Sequence, residues 1–415
     1  MGTERPNIFN EPDREAHRKK RRVIGFGISE RAMRVFEPEM AQEVDVFLGQ
    51  LLRSSQNQET VDMTPFCERL GVDIIGQLAF GFQLNSQRDP THRPVSAGMR
   101  ARSRLGSLYM AWPALRYMDP IITRLSPVKY KNDMRSLYKS LRTMIGARMA
   151  LPKDAKPDFY AHVSGDIAPG DPGLDTKDLW AEAILIVAAG GSTTATTITA
   201  ALFYLSRNPE VYERLASEIR NHFSSAKDIK QGPQLSACSY LRAVIDESLR
   251  LSTGTISNWR VQDPSSVAAG EQLVVDGHVI PPGTEVAINA YSFMRNPDYY
   301  PDPFAFRPER WLAEDGETLR GSSDIVRRAF VPFSIGSRSC AGQAMAYLEL
   351  NLAIARTMWY FDFEKAPGEA GKLGEVPGQP LVFKLEDSTI VGHHGPNLVF
   401  KPRGNYWREL MKHVD

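Results

Sequence analysis

A long stretch of low polarity, residues 176–207, constrains the fold more than any other part of the sequence. Asp175 or Thr176 can cap its start, and Asn208-Pro209 ends it, as expected for one continuous helix. At ~1.5 Å per residue this helix spans ~45 Å, which is long enough to cross a whole domain. The other elements must therefore pack around it.

The rest of the sequence predicts further helices and a small β portion. Apolar residues recur at three- and four-residue spacing in five other stretches, 30–54, 66–80, 129–150, 235–252 and 342–360. After the fourth of these the period changes: Leu273 to Ile280 is typical of a hairpin around Asp276-Gly277, and residues 285–290 form a further strand. We expect a mainly α fold with a small β portion, in a single domain over residues 1–415.

Composition and charge exclude several classes of protein. The net charge of +1 disfavours a nucleic-acid-binding protein. Cys67, Cys238 and Cys340 are too far apart for a zinc module or a disulfide framework. The polar start has no signal-peptide core, and no run of eighteen apolar residues occurs, so we expect no transmembrane segment in this chain.

The segment Phe333-Ser-Ile-Gly336-Ser-Arg338-Ser-Cys340-Ala-Gly342 indicates the chemistry. A lone cysteine is most often a small buried apolar residue, so Cys340 alone says little. Its neighbours change this, because Gly336 and Gly342 let the backbone approach a flat ligand, and Arg338 can pair with a ligand carboxylate. A helix that starts near Cys340 points its positive end at the sulfur. The pattern is therefore typical of a thiolate that binds a large, flat, anionic cofactor.

The pattern Phe-x-x-Gly-x-Arg-x-Cys-x-Gly resembles the cysteine motif of the cytochrome P450 superfamily, the heme-thiolate monooxygenases. The resemblance implies that Cys340 is the proximal ligand of a heme b iron and that Phe333 packs near the sulfur. Thiolate ligation of heme favours O–O cleavage. The style of the motifs resembles that of fungal microsomal members of the family, which often act in secondary metabolism. This implies that the protein receives electrons from an NADPH-cytochrome reductase and acts on a lipophilic small-molecule substrate.

The resemblance covers the chain from His17 to the C-terminal tail, but it starts late. A membrane helix, the first sheet strands and a loop over the substrate pocket precede the basic helix in the family and have no counterpart here. We therefore expect a cytochrome P450 fold that lacks its N-terminal section. The resemblance implies the cytoplasmic side of the endoplasmic reticulum, although no membrane anchor is visible in this chain.

Glu247 and Arg250 lie three residues apart on the predicted helix 235–252 and so share a face. Taken alone they indicate no more than an ordinary surface ion pair. In the family, an arginine from the following proline-rich segment joins such a pair and fixes the region beside the heme loop. The resemblance assigns that position to Arg310, so that Glu247, Arg250 and Arg310 form a structural triad.

The middle of the long helix, Ala189-Gly190-Gly191-Ser192-Thr193, is rich in poor helix formers. One interpretation is a helix crossing that needs small residues. The other is functional: the Thr193 hydroxyl bonds back to the Ala189 carbonyl, bends the helix and opens a groove for dioxygen and water. The resemblance makes Thr193 the family's threonine and places Ser192 where the family has an acid. Serine can hold a water but cannot supply a carboxylate's proton.

The run from His17 to Arg22 is the strongest basic cluster in the sequence. The near-neutral total charge disfavours a nucleic-acid patch, and a solvated helix face is the plain alternative. The resemblance pairs His17 and Arg21, one helical turn apart, with heme propionates, and leaves Arg18, Lys19 and Arg22 to face an acidic reductase. Arg260 is a further propionate candidate, with a surface strand position as its alternative.

Three functions stay open on the sequence. The favoured one is a heme-dependent monooxygenase. A thiolate-heme isomerase or dehydratase that needs no reductase is supported by Ser192 and opposed by Thr193. A truncated, non-catalytic heme-binding relic is supported by the late start of the resemblance. The predicted pocket walls, Val187–Thr194, Thr253–Asn258 and the tail near Ile390, suit a mid-sized lipophilic compound but do not identify it.

Overall fold

The structure is a computed structural model that describes residues 5–152, 155, 156, 158–164, 174–255, 257–313 and 325–413, with the backbone alone at 164, 176 and 257–260. Helices dominate it. The α-helices of these residues are α1 Arg14–Gly27, α2 Glu30–Gln56, α3 Met63–Phe80, α4 Pro94–Ala111, α5 Asp119–Leu125, α6 Val128–Met149, α7 Phe159–Ser164, α8 Thr176–Leu205, α9 Pro209–His222, α10 Pro233–Ser236, α11 Ser239–Leu251, α12 Pro264–Ala268, α13 Ala290–Phe293, α14 Ile325–Arg328 and α15 Gln343–Tyr360.

The central element is α8, the long helix that the sequence predicts. Asp175 caps it by accepting a hydrogen bond from the Asp178 amide at 2.8 Å, and the helix stops at Leu205, shortly before Asn208-Pro209. Helices α3, α11 and α15 pack against it, and its second half is almost fully buried. The length and mean hydropathy of Lys177–Leu205 would suffice to cross a membrane, but 56% of the most apolar window is buried within the protein.

The crossing of α3 and α8 depends on glycines. An added Cβ at Gly71 would collide with the carbonyl oxygen of Gly191, and one at Gly190 would lie 2.6 Å from the Cδ1 of Ile75. Because the Gly191 carbonyl belongs to the backbone of α8, Gly71 cannot be replaced without moving one of the two helices. The helix-crossing interpretation therefore explains Gly71, and the tight contact with Ile75 favours a small residue at Gly190.

The β portion is small and divided. The strands in the described part of the chain are β1 Val61–Asp62, β2 Ser257–Arg260, β3 Leu273–Val275, β4 His278–Ile280, β5 Val286–Asn289, β6 Phe361–Lys365, β7 Glu375–Val376, β8 Gln379–Phe383, β9 Leu385–Glu386, β10 Gly392–His393 and β11 Asn397–Pro402. Antiparallel β1, β11 and β6 form a three-stranded sheet, and the other strands pair as β2–β5, β3–β4, β7–β8 and β9–β10. The predicted hairpin is present, with Asp276 and Gly277 both at positive φ in its turn.

The structure corrects the prediction of one helix over residues 235–252. This part of the chain contains two helices, α10 and α11. Cys238 has non-helical backbone angles and precedes α11. The Glu218 carboxylate, on α9, accepts the amide hydrogens of Tyr240 and Leu241 at 2.8 Å each. A side chain from a distant helix thus caps α11 and sets its start, which local periodicity does not reveal.

We predict that Gly71→Ala destabilises the protein, because its methyl group would overlap the Gly191 carbonyl at the α3–α8 crossing. The loss in the free energy of unfolding should be about 1–3 kcal/mol. Gly146→Ala, in the exposed interior of α6 where an added Cβ meets nothing within 4 Å, is the matched control and should be neutral or stabilising. Chemical denaturation of both variants measures this, and equal stability of the two would contradict it.

Candidate active site

The cysteine loop lies between a 3-10 turn at Gly336–Arg338 and the start of α15. The amide of Cys340 donates to the Phe333 carbonyl at 2.7 Å, which closes the loop on itself. Gly336 has φ +76°, a conformation that other L-residues rarely adopt, and an added Cβ there would meet nothing within 4 Å. Gly336 is therefore needed for the backbone conformation, and it leaves open space beside the loop.

Cys340 differs from the other two cysteines. It is exposed on one side, whereas Cys67 and Cys238 are buried. Burial raises the pKa of all three thiols, to about 12 for the two buried ones. At Cys340 the amide of Gly342 and the charge of Arg21 oppose this shift. The hydrogen bond from the Gly342 amide and the nearby charge of Arg21 both favour the thiolate form of this accessible cysteine.

Arg21 and Arg338 both lie at the cysteine loop. The Arg21 guanidinium, on α1, donates to the carbonyl oxygens of Ser339 and Cys340, and Arg338 donates to the Glu11 carbonyl at 2.7 Å. These bonds fix α1 and the segment before it against the loop. The predicted helical turn from His17 to Arg21 is present, with His17 buried.

Helix α1 is also anchored to α8 by charge. The buried ammonium of Lys20 lies 3.5–3.6 Å from carboxylate oxygens of Glu11, Asp178 and Glu182. This cluster holds the basic face of α1 in a fixed position between the cysteine loop and α8. Arg260, the other predicted propionate ligand, lies on β2, but its side chain is outside the described part of the structure.

The structure brings Glu247, Arg250 and Arg310 together. Arg250 makes two hydrogen bonds to the Glu247 carboxylate, at 2.9 and 2.8 Å, and the Arg310 Nε donates to it at 3.0 Å. Trp311 Nε1 and the Arg307 amide donate to the same carboxylate, each at 3.0 Å. Burial opposes ionisation, but the two arginine charges and these donors outweigh it and hold the pKa of Glu247 below its usual range.

The Arg250 guanidinium extends the triad into the neighbouring segment. Besides Glu247 it donates to the carbonyl oxygens of Met294, Pro303 and Ala305 at 2.9, 2.7 and 3.3 Å. The triad therefore connects α11 to the proline-rich segment that leads to the cysteine loop.

On α8 the Thr193 hydroxyl donates to the Ala189 carbonyl at 2.8 Å, as predicted. This bond alone does not distinguish Thr193, because four of the threonines that follow it also donate to the carbonyl four residues earlier. They are Thr194, Thr196, Thr197 and Thr199. What distinguishes Thr193 is its surroundings. Ala189, in the middle of this core helix, is exposed, and Ser192 and Thr193 are only partly buried. An open face thus lies at the middle of α8.

The three predicted pocket walls converge. An added Cβ at Gly254 would lie 3.1 Å from the Cβ of Thr193, and the Gly254 carbonyl accepts from the Val391 amide at 3.0 Å. The tail is held in turn by α4, since the Ser103 hydroxyl bonds the carbonyl and the amide of Ile390 at 3.0 and 2.7 Å. The sequence reasoning did not predict that α4 holds the tail. The small polar residues Ser103 and Ser107, at four-residue spacing, were a signal of this contact.

Known proteins resemble this chain over almost its full length. The sequence profile of the cytochrome P450 family matches residues 2–382. The chain belongs to the cytochrome P450 family. It is 32% identical to cytochrome P450 monooxygenase poxM of Penicillium oxalicum over 95% of this chain and 74% of that protein. It is 31% identical to a cytochrome P450 monooxygenase of Gibberella zeae over 96% of this chain and 92% of that protein.

A solved structure supports the same fold. The crystal structure of the cytochrome P450DA heme domain matches with a TM-score of 0.74 and covers 96% of this chain and 80% of that one, at 18% sequence identity. The mainly α fold with a small β portion is therefore confirmed as the cytochrome P450 fold. The relatives show that this cytochrome P450 is a monooxygenase and that its cofactor is a heme bound through a thiolate.

The residues at the cysteine loop fit a heme group. The donor is a thiol that is accessible on one side and stabilised by an amide and by a cation. The positive-φ Gly336 leaves open space next to it, and the adjacent Ile335 is 75% exposed. A flat apolar macrocycle with acidic substituents would cover such surfaces and meet the arginines of the loop and of α1.

One residue of this cytochrome P450 that the sequence reasoning missed is Glu349, on α15. It is fully buried, and burial raises its pKa to about 8. The Thr194 hydroxyl, on α8, lowers the pKa but does not outweigh burial, so the neutral carboxyl form is favoured at neutral pH. The signal was an isolated acid within the apolar helix of residues 343–360.

We predict that Glu247→Ala lowers the free energy of unfolding by about 3–5 kcal/mol, because it leaves Arg250 and Arg310 buried without their counter-ion. Heme content per purified protein should fall strongly, since the triad fixes the segment leading to the cysteine loop. Glu369→Ala, which removes an exposed ion pair, should change stability by less than about 0.5 kcal/mol. Normal heme content in Glu247→Ala would disprove the assignment.

The buried Glu349 predicts a specific pH dependence of stability. The pKa of Glu349 is about 8 in the folded protein, whereas its usual value is 4.5. Between these two pH values the folded state therefore binds more protons than the unfolded state. The free energy of unfolding should therefore fall as pH rises through this window, and Glu349→Gln should become progressively more stable than the wild type. Thermal unfolding from pH 5 to pH 9 tests this, with exposed Glu364→Gln as control. Parallel curves for all three proteins would refute it.

Proposed function

We propose that this cytochrome P450 binds heme b through Cys340, takes electrons from an NADPH-cytochrome reductase and inserts one oxygen atom into a lipophilic compound of fungal secondary metabolism. The whole chain would act as one domain. The observation that carries the proposal is the accessible Cys340 thiol, whose thiolate form is favoured by the Gly342 amide and by the nearby charge of Arg21. Thiolate-ligated heme supplies the activation of dioxygen for transfer to carbon.

We assign the heme-contacting side chains to two groups. His17, Arg21, Arg338 and Arg260 would pair with the propionates, and the first three lie on α1 or on the cysteine loop itself. Phe333 would shield the sulfur side. Its ring packs 5.4 Å from that of Tyr347 on α15, which fixes its position.

On α8 we assign Thr193 and Ser192 to the handling of water and protons. The Thr193 hydroxyl is oriented by its bond to Ala189, and its lone pairs stay available to a water molecule. The Ser192 hydroxyl can hold that water but has no acidic proton near neutral pH. Glu247, Arg250 and Arg310 keep the structural role given to them above.

The basic face beside the cysteine supports an acidic reductase as partner. A cleft of about 1260 Å³ is lined by Cys340 together with four arginines that come from separate elements: Arg21, Arg34, Arg242 and Arg327. Arg18, Lys19 and Arg22 add to the positive charge of α1. Complementary charge would steer an acidic flavoprotein to this face, and salt would weaken the association.

An exposed apolar surface supports a location at the endoplasmic reticulum membrane, on its cytoplasmic side. Between residues 112 and 128, four large apolar side chains are 64–91% exposed: Trp112, Tyr117, Leu125 and Val128. Arg116 and Arg124 lie among them. Aromatic and aliphatic side chains interleaved with arginines suit the interface of an anionic membrane.

A thiolate-heme isomerase or dehydratase is the second candidate, and Ser192 in place of an acid is the observation that favours it. Such an enzyme needs no external electrons. Substrate-dependent consumption of NADPH in the presence of added reductase would support the monooxygenase, and product formation without NADPH would support the isomerase.

Cys340→Ala tests the heme assignment. We expect the purified wild type to show the thiolate-type spectrum of the reduced, carbon-monoxide-bound form, and the variant to lose it. Cys238→Ala is the matched control, because Cys238 lines the same cleft but is buried, and its spectrum should not change. An unaltered spectrum in Cys340→Ala would overturn the assignment.

A further inference from the structure

A separate polar cavity of about 290 Å³ lies where the end of α2, the start of α3 and the segment before α4 meet. Three arginines line it, Arg53, Arg69 and Arg93, with a single acid, Glu59. None of the residues assigned above to heme, oxygen or reductase lines this cavity. Its wall therefore carries an excess of positive charge that the proposed reaction does not use.

Arg69 is partly buried, whereas Arg53 is exposed. Among the residues that the structure describes, the Arg69 guanidinium has neither a hydrogen bond nor an ion pair, and it lies 5.7 Å from the centre of the Phe66 ring. Burial lowers the pKa of Arg69, and the charge of Arg93 lowers it further. A half-buried cation beside a second cation is costly unless an anion joins them.

The acids near Arg69 are engaged elsewhere. Asp62 caps the first turn of α3, Glu68 forms an ion pair with Arg100, and Asp73 accepts two backbone amides of the segment before α4, at 2.8 and 3.0 Å. The negative charges of these carboxylates make the electrostatic potential at Arg69 less positive, but none of the three contacts the Arg69 guanidinium. The counter-ion position is thus open to a ligand.

Arg93 and Gln87 give the cavity fixed geometry. The Arg93 guanidinium is held by the carbonyl oxygens of Ser86 and Gln87, at 3.0 and 3.3 Å. The Gln87 amide nitrogen bonds to Glu43, while its Oε1 is buried without a partner among the described residues. The cavity thus presents cations for an anion, one of them held in a fixed orientation.

We propose that this cavity binds a small phosphate monoester. The guanidinium groups match the geometry and the double charge of phosphate. The volume, about 290 Å³, is at the lower end for ligand sites, so it suits a three- or four-carbon polyol phosphate better than a whole nucleotide. Such chemistry occurs both in free polyol phosphates and in phosphorylated lipid headgroups.

Titration calorimetry with glycerol 3-phosphate tests the proposal on the heme-containing protein. Arg69→Gln and Arg53→Gln should each weaken binding about tenfold or more, and Glu59→Gln should strengthen it by removing the opposing charge. Arg31→Gln, an exposed position on α2, is the control and should bind like the wild type. Undiminished binding by both cavity variants, or no binding by the wild type, would overturn the proposal.

Stability provides an independent measurement. Without ligand, Arg69→Gln should melt at or above the temperature of the wild type, because it removes an unpaired charge. Glycerol 3-phosphate should raise the melting temperature of the wild type but not of Arg69→Gln. An equal shift produced by chloride at the same ionic strength would indicate plain charge screening and overturn the proposal.

Vesicles separate the two sources of the ligand. Cosedimentation with vesicles containing phosphatidylinositol phosphate, lost in Arg69→Gln and absent with neutral vesicles, would support a lipid headgroup. Glycerol 3-phosphate binding with no such cosedimentation would support a free polyol phosphate. A Cys340→Ala protein should keep this binding, so failure of the heme assignment and failure of the phosphate site are distinguishable.

Discussion

Burial of α8 is the constraint on which the rest of the structure depends. A helix of thirty residues through the core has to accept neighbours on almost every side, and it does so by close backbone contact with α3. Gly71 and Gly191 permit that contact. The same crossing leaves the middle of α8 free on its other face, where Ala189 and Thr193 are accessible. Packing on one side of the helix thus leaves the open face on the other.

Three ionisable side chains that are buried or partly buried differ in how their charge is compensated. Glu247 stays ionised because two arginines and further donors surround it, and it ties α11 to the segment before the cysteine loop. No cation of the described residues bonds to Glu349, and burial favours its neutral form. Arg69 cannot become neutral in the same way, since a guanidinium holds its proton over the whole physiological range. These outcomes follow from the number of compensating partners within hydrogen-bond reach.

The motif residues identify the family, and the structure shows why they recur together. The cysteine loop contacts α1 through Arg21 and the segment before α1 through Arg338. Lys20 joins α1 to α8. Residues that are far apart in sequence thus form one continuous support around the sulfur. Ser192 departs from the family pattern without disturbing this support, because it lies on the open face of α8 and takes no part in these contacts.

Much of the fold could be predicted because its signals are local. The cap at Asp175, the turn at Asp276-Gly277 and the apolar spacing of the long helices depend on neighbours within a few residues. The cysteine motif is likewise a contiguous pattern, so the sequence alone determined the family, the heme thiolate and the mainly α fold. The start of α11 could not be predicted in this way, since its cap, Glu218, comes from another helix.

Only the tertiary structure decided which distant residues meet. Ser103 and Ile390 are 287 positions apart, and their hydrogen bonds hold the tail over the pocket. The neutral state of Glu349 and the unpaired charge of Arg69 depend on how completely other elements surround them. No local pattern encodes this, because solvation and long-range contact are properties of the packed chain. The sequence determined the family, most of the long helices and the cysteine motif, and packing decided which distant residues meet and which buried groups stay charged.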